Sequence, residues 1–192
     1  QYVTAISLNM FIHLGMETIY YWMADAPDAV EQLLELFTRD FIDFHRFMER
    51  EELLADNRCN MLTGGHFGYV EQPPVKENVA LSTQWIWCNA EEMTSVSPDM
   101  FRMVAPYLAR AAEVFGHTYY ACCDRIDDRF DIVEAAIPHL RAVSVSAFSD
   151  VFAMGEKLQG KPVIYSRKPK PWPFASINPE WPLVERDIRD VK

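Results

Sequence analysis

From residue 117 onward the chain alternates between two hydrophobic periods, and that alternation restricts the fold more than any other feature. Residues 117–123, 141–147 and 162–167 carry the two-residue period of strands. Helical readings fall between and after them, over 129–136, 149–158 and 180–190. Strand followed by helix, repeated, implies right-handed crossovers and a parallel sheet. The expected class is therefore α/β.

Upstream, apolar residues at Val3, Ile6, Met10 and Leu14 suit a helix within 3–24, with a break at Gly15. Pro27 fits a first helical position. Val30, Leu33, Leu34, Phe37, Phe41, Phe44 and Met48 then recur every three or four residues, as on one long amphipathic helix or two in series. A short strand is expected near Cys59–Leu62, then a glycine-rich loop TGGHFGY running through Pro73 and Pro74. Trp85–Asn89 reads as another strand, followed by the polar segment AEEMTSV. Ser97 and Pro98 supply an N-cap and first turn for a helix that Gly116 ends.

With 192 residues, 49% of them hydrophobic, the chain has material for one sizeable core. No repeat or linker divides residues 1–192 into two domains. Eighteen basic against 28 acidic side chains give a formal charge of -10, which argues against nucleic acid or an anionic membrane as the main partner. Four scattered cysteines do not make a disulfide framework, so a reducing, cytoplasmic setting is expected. The apolar start has no basic flank and is interrupted by Asn9 and His13, unlike a signal peptide or membrane span. These units are too few for a complete (β/α)₈ barrel, which takes ~250 residues. Either the sheet is small and open, or the chain is the later part of a barrel and a fragment of something longer.

Three segments, SPDMFRMVAPYLARAAEVFG, YYACCD and IPHLRAVSVSAFSDVFAMGEKLQGKPVIYSRKPKP, together resemble the uroporphyrinogen decarboxylase superfamily. The resemblance is nearest to a divergent decarboxylase-like branch. It covers residues 84–173 well and 10–75 more loosely, through GME, DAPD and GGHFGY. It implies a TIM-type (β/α)₈ barrel, of which this chain holds the later βα units, with the site at the C-terminal ends of the strands. Two activities are implied: decarboxylation of uroporphyrinogen, which needs no cofactor, and methyl transfer between a methyl-corrinoid, carried on a corrinoid protein, and a small-molecule thiol, assisted by zinc. A barrel that binds a tetrapyrrole or a partner protein without catalysis is the third reading. Departures are visible too. Tyr120 stands where the methyltransferases have a histidine ligand, Asp127 stands where the divergent branch has histidine, and no arginine-rich motif for substrate carboxylates is present.

Strand parity puts Tyr120, Cys122 and Asp124 on one face and Tyr119, Ala121 and Cys123 on the other. The resemblance turns Cys122 toward the site, as a zinc ligand or a nucleophile. Either role needs a thiolate and a partner. The alternative is a small buried hydrophobe at a strand end, which is also the reading for Cys123, facing the helices unless the strand has ended. Glu91 and Asp124 are candidate acids, bases or ligands on the rim. Lys168 is a candidate catalytic cation, and Arg167, with Lys170 nearby, a second hold on an anionic substrate. Ser146, alternating with the valines, and Ser166 are expected to face inward. His66 on its loop and Tyr120 complete the candidate substrate contacts. Bland readings compete throughout, since glutamates before a helix suit its positive end and a loop lysine is usually solvated.

Overall fold

The computed structural model describes residues 2–57, 61–62, 65–66, 79–175 and 177–190. Three helices lead: α1 (Ile6–Leu14), α2 (Met16–Asp25) and α3 (Pro27–Arg50). The break at Gly15 is real, with φ at 82°, a conformation that a Cβ disfavours. Pro27 opens α3, where a missing N–H costs nothing. Val30, Leu34, Thr38 and His45 are the buried stripe of α3, which packs on α1 and α4 (Pro98–Glu113). Ser97 caps α4, its hydroxyl accepting from the Met100 N–H at 3.2 Å, a contact worth about 1 kcal/mol.

Two sheets follow. β1 (Met61–Leu62) and β2 (Gly65–His66) pair antiparallel, so His66 lies in a short strand where a loop was expected. Cys59 and most of the glycine-rich stretch lie outside the described residues. The main sheet has four parallel strands in sequential order, β3 (Trp85–Cys88), β4 (His117–Tyr120), β5 (Leu140–Val145) and β6 (Ile164–Arg167). α4, α5 (Phe130–Ala136) and α6 (Val151–Leu158) are the crossovers, and α7 (Trp181–Arg189) follows β6. Val3 adds an isolated parallel bridge to Trp87 on the free side of β3. This is an α/β architecture, compatible with an arc of an α/β barrel.

The sheet has two unlike faces. Ile86, Cys88, Tyr120, Val143 and Val145 join the helices in the main core, around Phe101, Val104, Leu108 and Phe115. Burying each large apolar side chain of that core contributes about 1.5–3 kcal/mol. Trp85, Tyr119, Ala121 and Ala142 form a second cluster on the opposite face, with Trp87 against it and no helical residue in it. Among the described residues the helices pack on one face only, a layering compatible with a barrel wall.

Two expectations change here. β4 stops at Tyr120 rather than 123, because the ladder closes with Ala121 N–H donating to Cys88 O and the chain then bends. AEEMTSV is not irregular: Glu91–Ser95 forms a 3₁₀ turn. Among the described residues no helix is long and apolar enough to cross a membrane.

His45 sits among Tyr2, Phe41, Phe44 and Phe115 rings, its Nδ1 2.8 Å from Phe41 O. Burial holds its pKa below the ordinary histidine value, and burial does the same for His117, beside Arg141 and His139. Both groups favour the neutral form when folded, so the unfolded chain takes up protons first as pH falls. Stability conferred by the neutral rings is complete above about pH 6.5 and declines below it, toward the lowered folded values. Urea midpoints measured on either side of that pH should show the decline, and His45→Gln should flatten it. An equal slope in the variant would remove His45 from the account.

Candidate functional site

The loops after β3, β4 and β6 meet at the C-terminal end of the sheet. Asn89 Oδ1 accepts from the Glu91 N–H at 3.0 Å and starts the 3₁₀ turn. Thr94 Oγ1 is 2.7 Å from Glu91 O and 3.1 Å from Asp124 Oδ2, linking the first two loops. The Cys122 carbonyl accepts from Ser144 Oγ at 3.2 Å and from Lys168 Nζ at 2.9 Å, which brings the third loop in. Lys168 Nζ also lies 3.9 Å from Cys123 Sγ. On the face of the second cluster, below, Tyr119 OH and Ser166 Oγ are 3.2 Å apart, and Trp87 Nε1 donates to Ala121 O at 2.9 Å.

Cys122, at 2% exposure, is the packed member of the cysteine pair and Cys123 the exposed one. Burial pushes the Cys122 thiol up to about 11, opposed by a backbone hydrogen bond at Asp124 and by the charge of Lys168 and helped by the charges of Glu91 and Asp124. Sγ also lies 3.3 Å from Asp124 O, within reach for the thiol to donate. The charges of Glu91, Asp124 and Lys168 all reach that thiol, with Asp124 placed by Thr94 and Lys168 by the Cys122 carbonyl. They are the candidates that the fold brings together.

Other candidates are placed differently. Tyr120 is not on the rim; it is 2% exposed on the helix-packed face, where burial raises its hydroxyl pKa well above the ordinary value. Parity holds, since Cys122 and Cys88 lie close enough to act on the Tyr120 hydroxyl; it is the choice of face that differs from expectation. Cys123 continues the Tyr119–Ala121 side instead, exposed and toward Lys168, not into the helices. Arg167 is committed to structure: Nη2 pairs with Asp187 Oδ1 of α7 at 2.7 Å and Nη1 donates to Ser146 O at 3.0 Å. Ser146 is buried, its Oγ accepting from Phe148 N at 3.1 Å and lying 3.4 Å from Ser149 Oγ, so it shapes the loop after β5 rather than lining the rim. The His66 side chain lies outside the description. Glu92, beside Glu91, accepts from Ser7 Oγ at 2.9 Å and is a structural anchor for α1.

Sequence reasoning passed over Thr94, Tyr119 and Trp87. Tyr119 was recoverable from the pairing of β4 with β5, which sets it beside Ala142. Thr94 carried no signal beyond its place in a polar segment. Among the described residues no group of three His, Cys, Asp or Glu side chains is arranged to hold a metal. Cys122 is thus buried and, among the described residues, without the two further ligands that the zinc role implied by resemblance would need. Two open clefts, beside α6 and β6 and along α3 near Tyr107, gather none of these groups. No family model, curated protein or solved structure matches this chain.

The two rim thiol environments give a direct test. Near neutral pH, iodoacetamide should alkylate Cys123 and spare Cys122 and Cys88, whose thiol burial pushes up to about 12. Peptide mass spectrometry reads this; equal labelling of Cys122 and Cys123 would contradict the buried placement.

Proposed function

We propose that this chain is the later part of a (β/α)₈ barrel enzyme of the uroporphyrinogen decarboxylase superfamily kind, transferring a methyl group from a methyl-corrinoid to a small anionic acceptor. The observation that carries the reading is the convergence of Glu91, Asp124 and Lys168 at the C-terminal end of a parallel sheet whose helices lie on one face. That end is where barrels of this class keep their chemistry. Lys168, held by the Cys122 carbonyl, keeps ammonium protons for an acceptor's anionic group. Asp124 or Glu91 takes the acceptor's proton as its heteroatom takes the methyl group. The donor retains the bonding electron pair, and charge is conserved. No step here is assigned to a metal.

The charge balance favours this reading over porphyrinogen decarboxylation. A substrate with many carboxylates needs several free cations, whereas Arg125 is paired with Asp127, Arg129 with Asp128 and Arg167 with Asp187. Glu91 and Asp124 would repel such a substrate. The test uses the complete polypeptide, methylcobalamin as donor and a panel of anionic thiols and amines as acceptors, following the corrinoid spectrum. Transfer that drops sharply in Asp124→Asn supports the reading. No transfer to any acceptor, or turnover of uroporphyrinogen instead, overturns it.

A further inference from the structure

We infer that Arg129, a buried guanidinium away from the rim surface, is the positioning residue that fixes Glu91 and Asp124 relative to each other. The inference rests on the rim being the reacting site.

Arg129 lies just before α5 and is 3% exposed. Its Nη1 donates to Met93 O at 2.6 Å, and its Nη2 to Thr94 O at 3.2 Å and Val96 O at 3.3 Å. Its Nε donates to Asp128 Oδ1 at 3.0 Å, and the cation sits 5.7 Å from the Phe101 ring centre. Met93 and Thr94 lie in the second half of the Glu91–Ser95 turn, counting from its middle residue, and Val96 follows it. A five-residue 3₁₀ turn has few internal bonds of good geometry, so donors from outside decide where it rests.

Thr94 passes that placement on. Its hydroxyl carries one proton and has two acceptors, Glu91 O and Asp124 Oδ2, so the turn and the carboxylate are tied by one group. Asp124 and Arg129 belong to the same loop, which therefore reaches the turn at both ends. A side chain needed only for packing would not demand a buried cation, which costs desolvation and must be repaid in hydrogen bonds. The fork of the guanidinium spans three carbonyls where an ammonium would reach fewer.

The experiment compares Arg129→Met, Arg129→Lys and Thr94→Val in the complete polypeptide, by hydrogen exchange and by the pH dependence of methyl transfer. Arg129→Met should speed exchange in residues 91–96 on the order of tenfold while α7 is unchanged. Arg129→Lys should do so less, and serves if the first variant does not fold. Thr94→Val should leave exchange alone. Arg129→Met and Thr94→Val should both lower kcat, on the order of a hundredfold, with KM near wild type. Both should also change the shape of the acid side of the pH–rate profile after rates are normalised to the folded fraction at each pH, which a purely structural loss would leave unaltered. Wild-type exchange in residues 91–96 of both Arg129 variants, or an unaltered profile shape in Arg129→Met and Thr94→Val, overturns the inference. A wild type without methyl transfer overturns the rim reading, and with it any catalytic meaning of the positioning, while the exchange measurement still decides whether Arg129 holds the turn.

Discussion

Gly116→Ala should lower stability by about 3 kcal/mol, the upper end of what forced overpacking costs. Gly116 lies between α4 and β4, and its N–H donates to Leu81 O at 3.2 Å and Gln84 O at 3.1 Å. A Cβ there would lie 2.0 Å from the Ser82 carbonyl oxygen and 2.7 Å from its carbon. Both atoms are backbone, in the 3₁₀ turn Leu81–Thr83 that leads into β3, so relief requires parting that turn from the start of β4. Out of a total stability of roughly 5–15 kcal/mol, such a loss leaves little margin. Gly155→Ala is the matched control. Nothing lies within 4 Å of its added Cβ, and a glycine replaced inside α6 should gain about 0.5–1 kcal/mol. Urea denaturation of the two variants measures the contrast. A Gly116→Ala midpoint equal to wild type would mean that the turn yields at no cost.

Lys168→Met should weaken binding of the anionic acceptor by about 1.5–3 kcal/mol, or on the order of 10- to 150-fold in KM, with a smaller effect on kcat. The ammonium bonds to the Cys122 carbonyl, a neutral acceptor, so its charge is not cancelled there. Methionine keeps the stem and removes the charge. Steady-state kinetics with an anionic acceptor and a neutral isostere separate the effects, since the neutral one should bind both proteins alike. An unchanged KM for the anion would take Lys168 out of substrate recognition.

Helix starts were legible because their signals are chemical. Pro27, and Ser97 with Pro98, each satisfy a backbone requirement that few other residues meet as well, whereas α4 ends at Glu113 with Val114 as its cap, before the glycine expected to stop it. The face assignment of β5 was legible as well, since valine and serine alternate and only one of them suits the helix core. β4 offered no such contrast. HTYYACC has an aromatic and a cysteine of either parity, so period two groups the side chains without saying which group faces the helices. Arg167 was misread for another reason. Its partner Asp187 is in α7, twenty residues on, and also accepts from Lys170 N at 3.2 Å. A loop cation and a structural anchor look alike until that helix is placed.

The Val3 bridge to Trp87 bears on the order in which the molecule assembles. Tyr2 O accepts from Trp87 N and Trp87 O from Thr4 N, both at 2.9 Å, and Thr4 Oγ1 accepts from Asn89 N at 2.9 Å. Together these bonds close a loop of more than eighty residues around α1, α2 and α3. Each later crossover joins strand residues only 22 to 32 positions apart. Closure entropy grows with loop length, so the short crossovers should form first and the long one last. In refolding, protection of the Trp87 amide should then trail that of β4 to β6. The helical excursion at the start of the chain would be the last piece to dock and the first to leave.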